Sequence, residues 1–330
     1  MPHQMHHDIK MYGAIKLYAG SGSPELAQKI ADFLKQKLSP REVIQFPNEN
    51  IFVKLKSSAR GQDVYVIQTT SSPVHYNLME LLIMIQTIRL DSAARITAVI
   101  PYLCYGRSDK KDQPRVPITA RLVADMIEIA GADRYMTFDP HAGQVQGFFS
   151  IPGDVLTASH MISDYIKENL FSRMFKPVVV ATDLGFAKRG RNYALDMDVP
   201  IAFIEKRRVG NEAKAEALTL IGDVKDRDVI IVDDEVDTGG SVAQAVNVVK
   251  KHGARDVYLA FIHPIFSRDA AQTLAALPIK HIITTDTIPI PAEKRKLLEE
   301  RITVLSIAPM LGEVIQRAHE GRSVGEMFGE

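Results

Sequence analysis

Two adjacent carboxylates lie between an apolar run and a glycine turn in the second half of the chain. Val229–Val232 is followed directly by Asp233 and Asp234, and shortly afterwards by the loop Asp237–Ser241. A β-branched run bounded by turn residues is typical of a buried parallel strand, and residues 242–251 have the apolar spacing of a helix. Backbone N–H groups at such a helix start bind anions. The segment therefore predicts a strand, a phosphate-binding loop and a helix.

The two carboxylates would repel a bare phosphate, so we expect them to contact another part of the same ligand. An ionised Asp only accepts hydrogen bonds, and a vicinal pair of hydroxyls can donate to it. Neighbouring strand side chains point to opposite faces, so both carboxylates reach one ligand only if the strand ends at Asp233. The segment predicts a ribose-phosphate site, and the alternative is an acidic turn with a capped helix. The predicted contacts are Asp233, Asp234, Asp237, Thr238, Gly239, Gly240 and Ser241.

A run of cations follows a second predicted strand, Ile201–Ile204. The segment Glu205–Lys214 contains Lys206, Arg207 and Arg208. An isolated basic loop is usually a solvated one. Here it is predicted to lie in the same domain as the phosphate loop, and parallel strands deliver ligands at their carboxyl ends. Cations at that position neutralise charge on a transferring phosphoryl group.

Four further segments have residues suited to a nucleotide and a metal. His141 and Asp183 each follow a predicted strand, one in each half of the chain, and together could hold a Mg²⁺ that stays largely bound to water and nucleotide oxygens. Arg107–Lys111 supplies cations, and Phe46–Asn50 supplies an aromatic face with amides suited to a base. Neither a P-loop nor a Rossmann fingerprint occurs in the chain.

The predicted strands that precede these residues recur in the same order in the two halves of the chain. Ile15–Gly20 matches Val178–Asp183, Val64–Gln68 matches Val229–Asp233, and Ile96–Asp109 matches Val257–Asp269. This predicts a duplicated α/β unit in which Gln68 and Thr69 replace the diol carboxylates of the second copy. We place the domains at 1–153 and 154–330, and expect the segment 306–330 to pack against the first domain.

Composition limits the classes of partner. The 330 residues are 46% hydrophobic and carry 40 basic and 40 acidic side chains. This balance argues against a nucleic-acid or membrane-surface binder and favours a small ligand. Cys104 is the single cysteine and no apolar span is long enough to cross a membrane, so a cytoplasmic protein is expected. His3, His6 and His7 form a loose cluster that is more often a frayed tail than a metal site.

The chain resembles ribose-phosphate pyrophosphokinases over roughly residues 15–328. The blocks that carry this resemblance, besides the Asp233–Ser241 segment, are Ser23–Ala27, Met79–Met84, Pro117–Ala120, Gln144–Phe149, Gly222–Arg227 and Val324–Phe328. The resemblance implies transfer of the diphosphoryl group of ATP to the 1-hydroxyl of ribose 5-phosphate, with Mg²⁺. It also implies two tandem phosphoribosyltransferase-like domains, each with a mainly parallel sheet flanked by helices, and a homo-oligomer in which dimers assemble into a hexamer.

The resemblance also assigns roles to residues by position. It implies that Lys206 and Arg208 stabilise the transition state and that His141 and Asp183 hold the metal. Nucleotide contacts are expected from Phe46, Asn48, Asn50, Arg107, Ser108 and Asp109.

Some positions depart from the family pattern and keep two alternatives open. Phe46–Asn50 stands where the family has Phe-Ser-Asp-Gly-Glu, and Gly185-Phe186 stands where it has Gly-Gly. Changed nucleotide-site residues are also what a non-catalytic regulatory homologue would have, although the uninterrupted Lys206–Lys214 segment opposes that reading. A phosphoribosyltransferase that consumes the product would share the diol loop but would not need two domains.

Overall fold

The computed structural model describes residues 12–183, 185–208 and 216–328, with the backbone alone at 206–208, 216–217 and 328. The chain folds as two compact units. The first contains the chain up to Thr137, then Gln144–Val155, and the segment that begins at Ala308. The second contains Phe138–Gly143 and Leu156–Ile307.

The first unit is a parallel sheet flanked by helices. Its strands are β1 (Ile15–Ala19), β4 (Asp63–Ile67), β5 (Arg95–Ile100), β6 (Arg134–Phe138) and β7 (Gly153–Leu156), in that spatial order. A separate antiparallel hairpin pairs β2 (Arg41–Gln45) with β3 (Ile51–Leu55). The helices of this unit are α1 (Pro24–Phe33), α2 (Val74–Leu90), α3 (Thr119–Ala130) and α9 (Ala308–Glu320).

The second unit repeats this plan with an added antiparallel edge. Its sheet has the order β10 (Glu216–Ile221), β9 (Ile201–Arg208), β8 (Val178–Ala181), β11 (Val229–Val236), β12 (Val257–Pro264), β13 (His281–Thr285) and β14 (Ile302–Leu305). The helices are α4 (Ser159–Asn169), α5 (Ala187–Met197), α6 (Gly240–Lys251), α7 (Ala270–Ala276) and α8 (Ala292–Leu298).

Apolar burial on both sheet faces explains the two parallel sheets. Every residue of β4 and of β12 is buried, as expected for strands covered by helices on both sides. The first four strands of the first sheet match β8, β11, β12 and β13 in relative order. The predicted α/β class with two mainly parallel sheets is therefore confirmed.

Two predicted strand ends are wrong. Strand β9 runs to Arg208, since its backbone pairs with β10, so the Lys-Arg-Arg sequence is strand rather than loop. Strand β11 continues past Asp233 to Val236, because β12 pairs with it as far as Pro264.

Helix α9 is held to the amino ends of β4 and β5 by a buried polar cluster. Asp63 is fully buried and accepts two hydrogen bonds from Arg95, at 2.7 and 2.6 Å. Nδ1 of His319 lies 2.8 Å from the same carboxylate, and Arg95 also donates to the Ala318 carbonyl. These contacts fix the last helix within the first unit. In the part of the chain that is described, no helix has the length and apolar content needed to span a membrane.

Candidate ribose-phosphate and nucleotide site

The carboxylate pair lies at the point where β11 stops pairing with β8 but continues to pair with β12. Pairing with β8 stops at Val232, whereas pairing with β12 continues through Asp233 to Val236. Because the strand continues, the two carboxylates alternate across it and have different partners. Thr182 donates to Asp233 at 2.9 Å, and Asp234 lies against His141. The expectation that the strand ends at Asp233 is wrong, and a shared ligand for both carboxylates stays a prediction.

Asp234 is held in its ionised form. Its side chain is only 5% exposed, and Oδ2 lies 2.7 Å from Nδ1 of His141 and 3.4 Å from Nη1 of Arg189. Burial by itself would raise the pKa of this carboxyl, but the hydrogen bond and charge of His141, together with Arg189, outweigh it and lower the pKa. The lowered pKa favours the ionised carboxylate, which only accepts hydrogen bonds, as recognition of a diol requires.

The pKa of Asp233 shifts in the opposite direction from that of Asp234. Burial, followed by the charge of Asp234, raises its pKa well above the ordinary value, although Thr182 donates to it. Asp233 is half-buried and Asp234 is buried, and two carboxylates this close disfavour ionisation of both. A third carboxyl, Asp139, has its pKa raised to about 6 by burial, while the Ala158 N–H and Arg189 act in the other direction.

The predicted phosphate loop has the backbone that anion binding requires. Gly239 has a φ of 80° and precedes α6, whose first residue is Gly240. Thr238, Gly240 and Ser241 are exposed, whereas Asp237 is half-buried. The first N–H groups of a helix have no partner within the helix and lie at the positive end of its dipole. The loop and α6 can therefore accept a phosphate beside the carboxylate pair.

The predicted metal positions have different local partners. The Asp183 carboxylate accepts the N–H of Phe186 at 2.8 Å, and His141 is oriented by Asp234. A carboxylate on one ring nitrogen is the usual way in which a metal-binding imidazole is oriented. Among the described residues there is no group of three or more His, Cys, Asp or Glu side chains placed to hold a metal. The residues fit a Mg²⁺ that takes one or two protein ligands and keeps water and substrate oxygens.

The predicted base-contacting residues form the tip of the β2–β3 hairpin. Phe46 donates its N–H to the Asn50 carbonyl at 2.8 Å, and its ring packs 6.3 Å from that of Phe52 in a tilted arrangement. The ring is 45% exposed. Asn48 and Asn50 are also exposed, and the Asn48 side chain accepts the Asn50 N–H. The tip presents an aromatic face and amides to the outside of the first unit.

The second predicted nucleotide segment lies in the loop after β5. Arg107 is exposed and Ser108 is half-buried. Asp109 is buried and accepts a hydrogen bond from Gln144, so its side chain has a partner within the first unit. The geometry therefore favours Arg107 over Asp109 for direct contact with a nucleotide.

The predicted transition-state cations lie near the end of β9. The backbone of Lys206 pairs with Leu218 and that of Arg208 with Glu216. Their side chains lie outside the described residues, as does the whole segment Val209–Lys214. Their role stays a prediction.

In the first unit, side chains fill the position after β4 that corresponds to the carboxylate pair after the apolar run of β11. Gln68, which follows β4, is fully buried; its oxygen accepts the Gly22 N–H at 2.8 Å and its amide donates to Glu80 at 3.0 Å. Glu80 in turn accepts hydrogen bonds from Ser21. This network occupies the position that carboxylates and a phosphate loop have in the second unit. A single ribose-phosphate site is therefore expected per chain.

Sequence reasoning missed Arg189 and Asp139. Arg189 lies among other cations in α5, and only the folded contact with Asp234 distinguishes it. Asp139 lies two residues before the predicted His141, and its available signal is a carboxylate directly after a strand.

Two family models match the chain. The N-terminal domain of ribose phosphate pyrophosphokinase matches residues 15–131, and the phosphoribosyl synthetase-associated domain matches residues 206–329.

Curated relatives and a solved structure resemble the chain over almost its whole length. A ribose-phosphate pyrophosphokinase of Caldanaerobacter subterraneus subsp. tengcongensis is 44% identical, with 96% of this chain and 98% of the relative covered. One of Aquifex aeolicus is 41% identical, with 95% and 99% covered. The crystal structure of phosphoribosylpyrophosphate synthetase from Mycobacterium smegmatis has a TM-score of 0.88 and 40% identity, with 93% and 99% covered.

Proposed function

The chain belongs to the ribose-phosphate pyrophosphokinase family, and we propose that it transfers the diphosphoryl group of ATP to the 1-hydroxyl of ribose 5-phosphate. The products are phosphoribosyl pyrophosphate and AMP. The observation that carries the proposal is a buried Asp234, 2.7 Å from His141 and 3.4 Å from Arg189, followed five residues later by a left-handed Gly239 at the start of α6. This combination supplies a diol acceptor and an anion site on one edge of one sheet.

The second unit takes the sugar phosphate. The 5-phosphate lies on the loop Asp237–Ser241, where N–H groups and the dipole of α6 favour an anion. The ribose hydroxyls donate to Asp234, and this contact does not require Asp233, which alternates with Asp234 across β11 and accepts a hydrogen bond from Thr182. Two contacts on one ligand fix the direction of the sugar, which leaves its 1-hydroxyl as the group that reacts.

The bond changes follow from this orientation. The oxygen of the 1-hydroxyl forms a bond to the β-phosphorus and loses its proton to water, the bond from that phosphorus to the α–β bridging oxygen breaks, and AMP leaves with that oxygen. Lys206 and Arg208 stabilise the charge that builds on the transferring group. His141 and Asp183 would hold Mg²⁺, which would neutralise charge on the diphosphoryl oxygens. His141 is kept in orientation by Asp234 at 2.7 Å.

The nucleotide is taken by the first unit. Phe46, with Asn48 and Asn50, covers the base, and Arg107 and Ser108 contact the phosphates. The hairpin tip is exposed and points away from its own core, so we assign it to a site completed by a second copy of the chain. Such a site requires a homo-oligomer, in line with dimers that assemble into a hexamer.

An apolar face on α2 and α3 supports assembly. Leu90, Leu122 and Ile129 are 75%, 55% and 82% exposed, and a groove of about 410 Å³ lies between these helices. Exposed apolar groups of this kind typically mark protein interfaces. The reaction requires ATP and ribose 5-phosphate, so we place it in the cytoplasm.

Neither alternative activity is favoured. The relatives that cover almost the whole chain are named for the pyrophosphokinase. The test is incubation of the purified protein with ATP, ribose 5-phosphate and Mg²⁺. AMP should form only when the sugar is present. Release of ADP, or AMP that forms without the sugar, would contradict the proposal.

A further inference from the structure

Arg189 connects two parts of the second unit that the proposed reaction needs. Its Nη1 lies 3.4 Å from Oδ2 of Asp234, and its Nη2 donates to the Pro140 carbonyl at 2.5 Å. Pro140 directly precedes His141, whose ring contacts the same Asp234 oxygen at 2.7 Å. One guanidinium therefore connects the carboxylate on β11 with the backbone of the turn that carries the predicted metal ligand.

The location of this cation conflicts with local helix electrostatics. Arg189 is the third residue of α5, and a positive charge in the first turn of a helix is unfavourable. Departures from a local rule are concentrated at functional sites. Here the surrounding carboxyls offset the unfavourable position, because Arg189 lowers the pKa of both Asp234 and Asp139.

The side chain of Phe186 lies under the same guanidinium. Its ring centroid is 5.9 Å from Cζ of Arg189, and the residue is 6% exposed. This buried ring limits the directions that the guanidinium can take.

The structure assigns to Arg189 the role of a positioning residue for the ribose site. It holds the Pro140–His141 turn against Asp234, so that the diol acceptor and the metal ligand keep a fixed separation. This role rests on the proposed function. Arginine suits it because a planar guanidinium has donors in a rigid fork and can reach a carboxylate and a carbonyl together. A lysine keeps the charge but provides a single ammonium that cannot reproduce both contacts in that geometry.

The experiment compares Arg189→Gln, Arg189→Lys and the matched control Arg191→Gln. Arg191 is exposed on the same helix, so its substitution removes the same charge. Binding of ribose 5-phosphate is measured by titration calorimetry without ATP, and binding of an unreactive ATP analogue is measured separately. Steady-state AMP formation is then followed as ribose 5-phosphate and Mg²⁺ are varied.

We expect Arg189→Gln to weaken ribose 5-phosphate binding by about tenfold to a hundredfold, the effect of losing a hydrogen bond to a charged group. The Mg²⁺ needed for half-maximal rate should rise, and binding of the ATP analogue should stay near that of wild type. In ribose 5-phosphate affinity and Mg²⁺ dependence, Arg189→Lys should be closer to Arg189→Gln than to wild type. Arg191→Gln should match wild type in both. If Arg189→Gln does not fold, Arg189→Lys is compared with wild type in its place.

Two outcomes would overturn the assignment. One is unchanged sugar binding and Mg²⁺ dependence in Arg189→Gln or, where that variant does not fold, in Arg189→Lys. The other is full recovery by Arg189→Lys, which would reduce the role to charge alone. Failure of the proposed function looks different, because wild type would then bind ribose 5-phosphate and release no AMP. The calorimetric comparison still tests Arg189 in that case.

Discussion

Nδ1 of His141 lies 2.7 Å from Oδ2 of Asp234, although the two residues are 93 positions apart in the chain. This contact connects the predicted metal ligand with the predicted diol acceptor, so the two functions are not independent. A carboxylate on one ring nitrogen leaves the other ring nitrogen to act toward a metal. Substitution at Asp234 should therefore affect both sugar binding and the response to Mg²⁺.

We predict that Asp234→Asn weakens ribose 5-phosphate binding much more than nucleotide binding. The amide keeps the shape but removes the charged acceptor, a loss of about 1 to 3 kcal/mol. Calorimetric titration of each substrate measures the two effects. Asp223→Asn is the matched control, since the Asp223 side chain is 71% exposed in the same unit. Equal weakening for both substrates would show that Asp234 does not belong to the sugar site.

Lys206→Ala should lower kcat while leaving KM almost unchanged. A cation that acts on charge present only in the transition state contributes little to ground-state binding. We expect a loss of roughly 10² to 10⁴ in kcat and the same for Arg208→Ala, with the double variant losing less than the product of the two. Steady-state kinetics measures this, with the exposed Lys225→Ala as control. A rise in KM at constant kcat would mean that the segment only binds substrate.

The two neighbouring glycines of the phosphate loop should respond oppositely to alanine. Gly239 has a φ of 80°, so Gly239→Ala should destabilise the fold by about 1 to 2 kcal/mol. Gly240 is the first residue of α6, and a Cβ there would meet Thr238 at an ordinary 3.7 Å. Gly240→Ala should be neutral or stabilising by up to about 1 kcal/mol. Urea unfolding measures both, and equal destabilisation would refute the left-handed role of Gly239.

His263 should make the protein less stable in acid. The imidazole is buried, its Nδ1 lies 3.0 Å from the Thr287 hydroxyl, and Nε2 lies 3.3 Å from the Asp139 carbonyl. Burial lowers its pKa from 6.5 to about 4, with Asp234 acting in the opposite direction and Arg189 in the same one. Between those two pH values the unfolded chain binds more protons, so stability falls as pH falls.

The measurement is the difference in unfolding free energy between wild type and His263→Gln as a function of pH. Taking this difference cancels the contribution of Asp139, whose raised pKa has the opposite dependence in the same range. Relative to the variant, wild type should lose up to about 3 kcal/mol between pH 6.5 and pH 4. A difference that is constant across that range would mean that the imidazole titrates normally.

Sequence patterns predict the buried strands well, because runs of apolar residues are stable only in the protein interior. Val229–Val232 and Val178–Ala181 are consecutive small or β-branched apolar residues, and such runs fit a sheet covered on both faces. The end of β9 was missed since Lys206–Arg208 is polar, and its strand conformation depends on pairing with β10. The end of β11 was missed for the same reason, through β12.

The residues of the candidate site also differ in whether the sequence alone identifies them. Asp233, Asp234 and Gly239 are recognisable from their order along one segment. Arg189 is not, because Lys188, Arg189 and Arg191 look alike in the sequence and only one of them contacts Asp234. Contacts between residues tens of positions apart depend on the sheet order, which local patterns do not determine.

In the proposed reaction, a diphosphoryl group moves intact from ATP to the sugar. The most direct test uses ATP labelled at either the α- or the β-phosphorus, incubated with ribose 5-phosphate and Mg²⁺, followed by separation of the products. The label of the β-phosphorus should be found in the sugar product and the label of the α-phosphorus in AMP, one of each per turnover. Recovery of the β-label in ADP or in free diphosphate, with the sugar unlabelled, would contradict the proposed reaction.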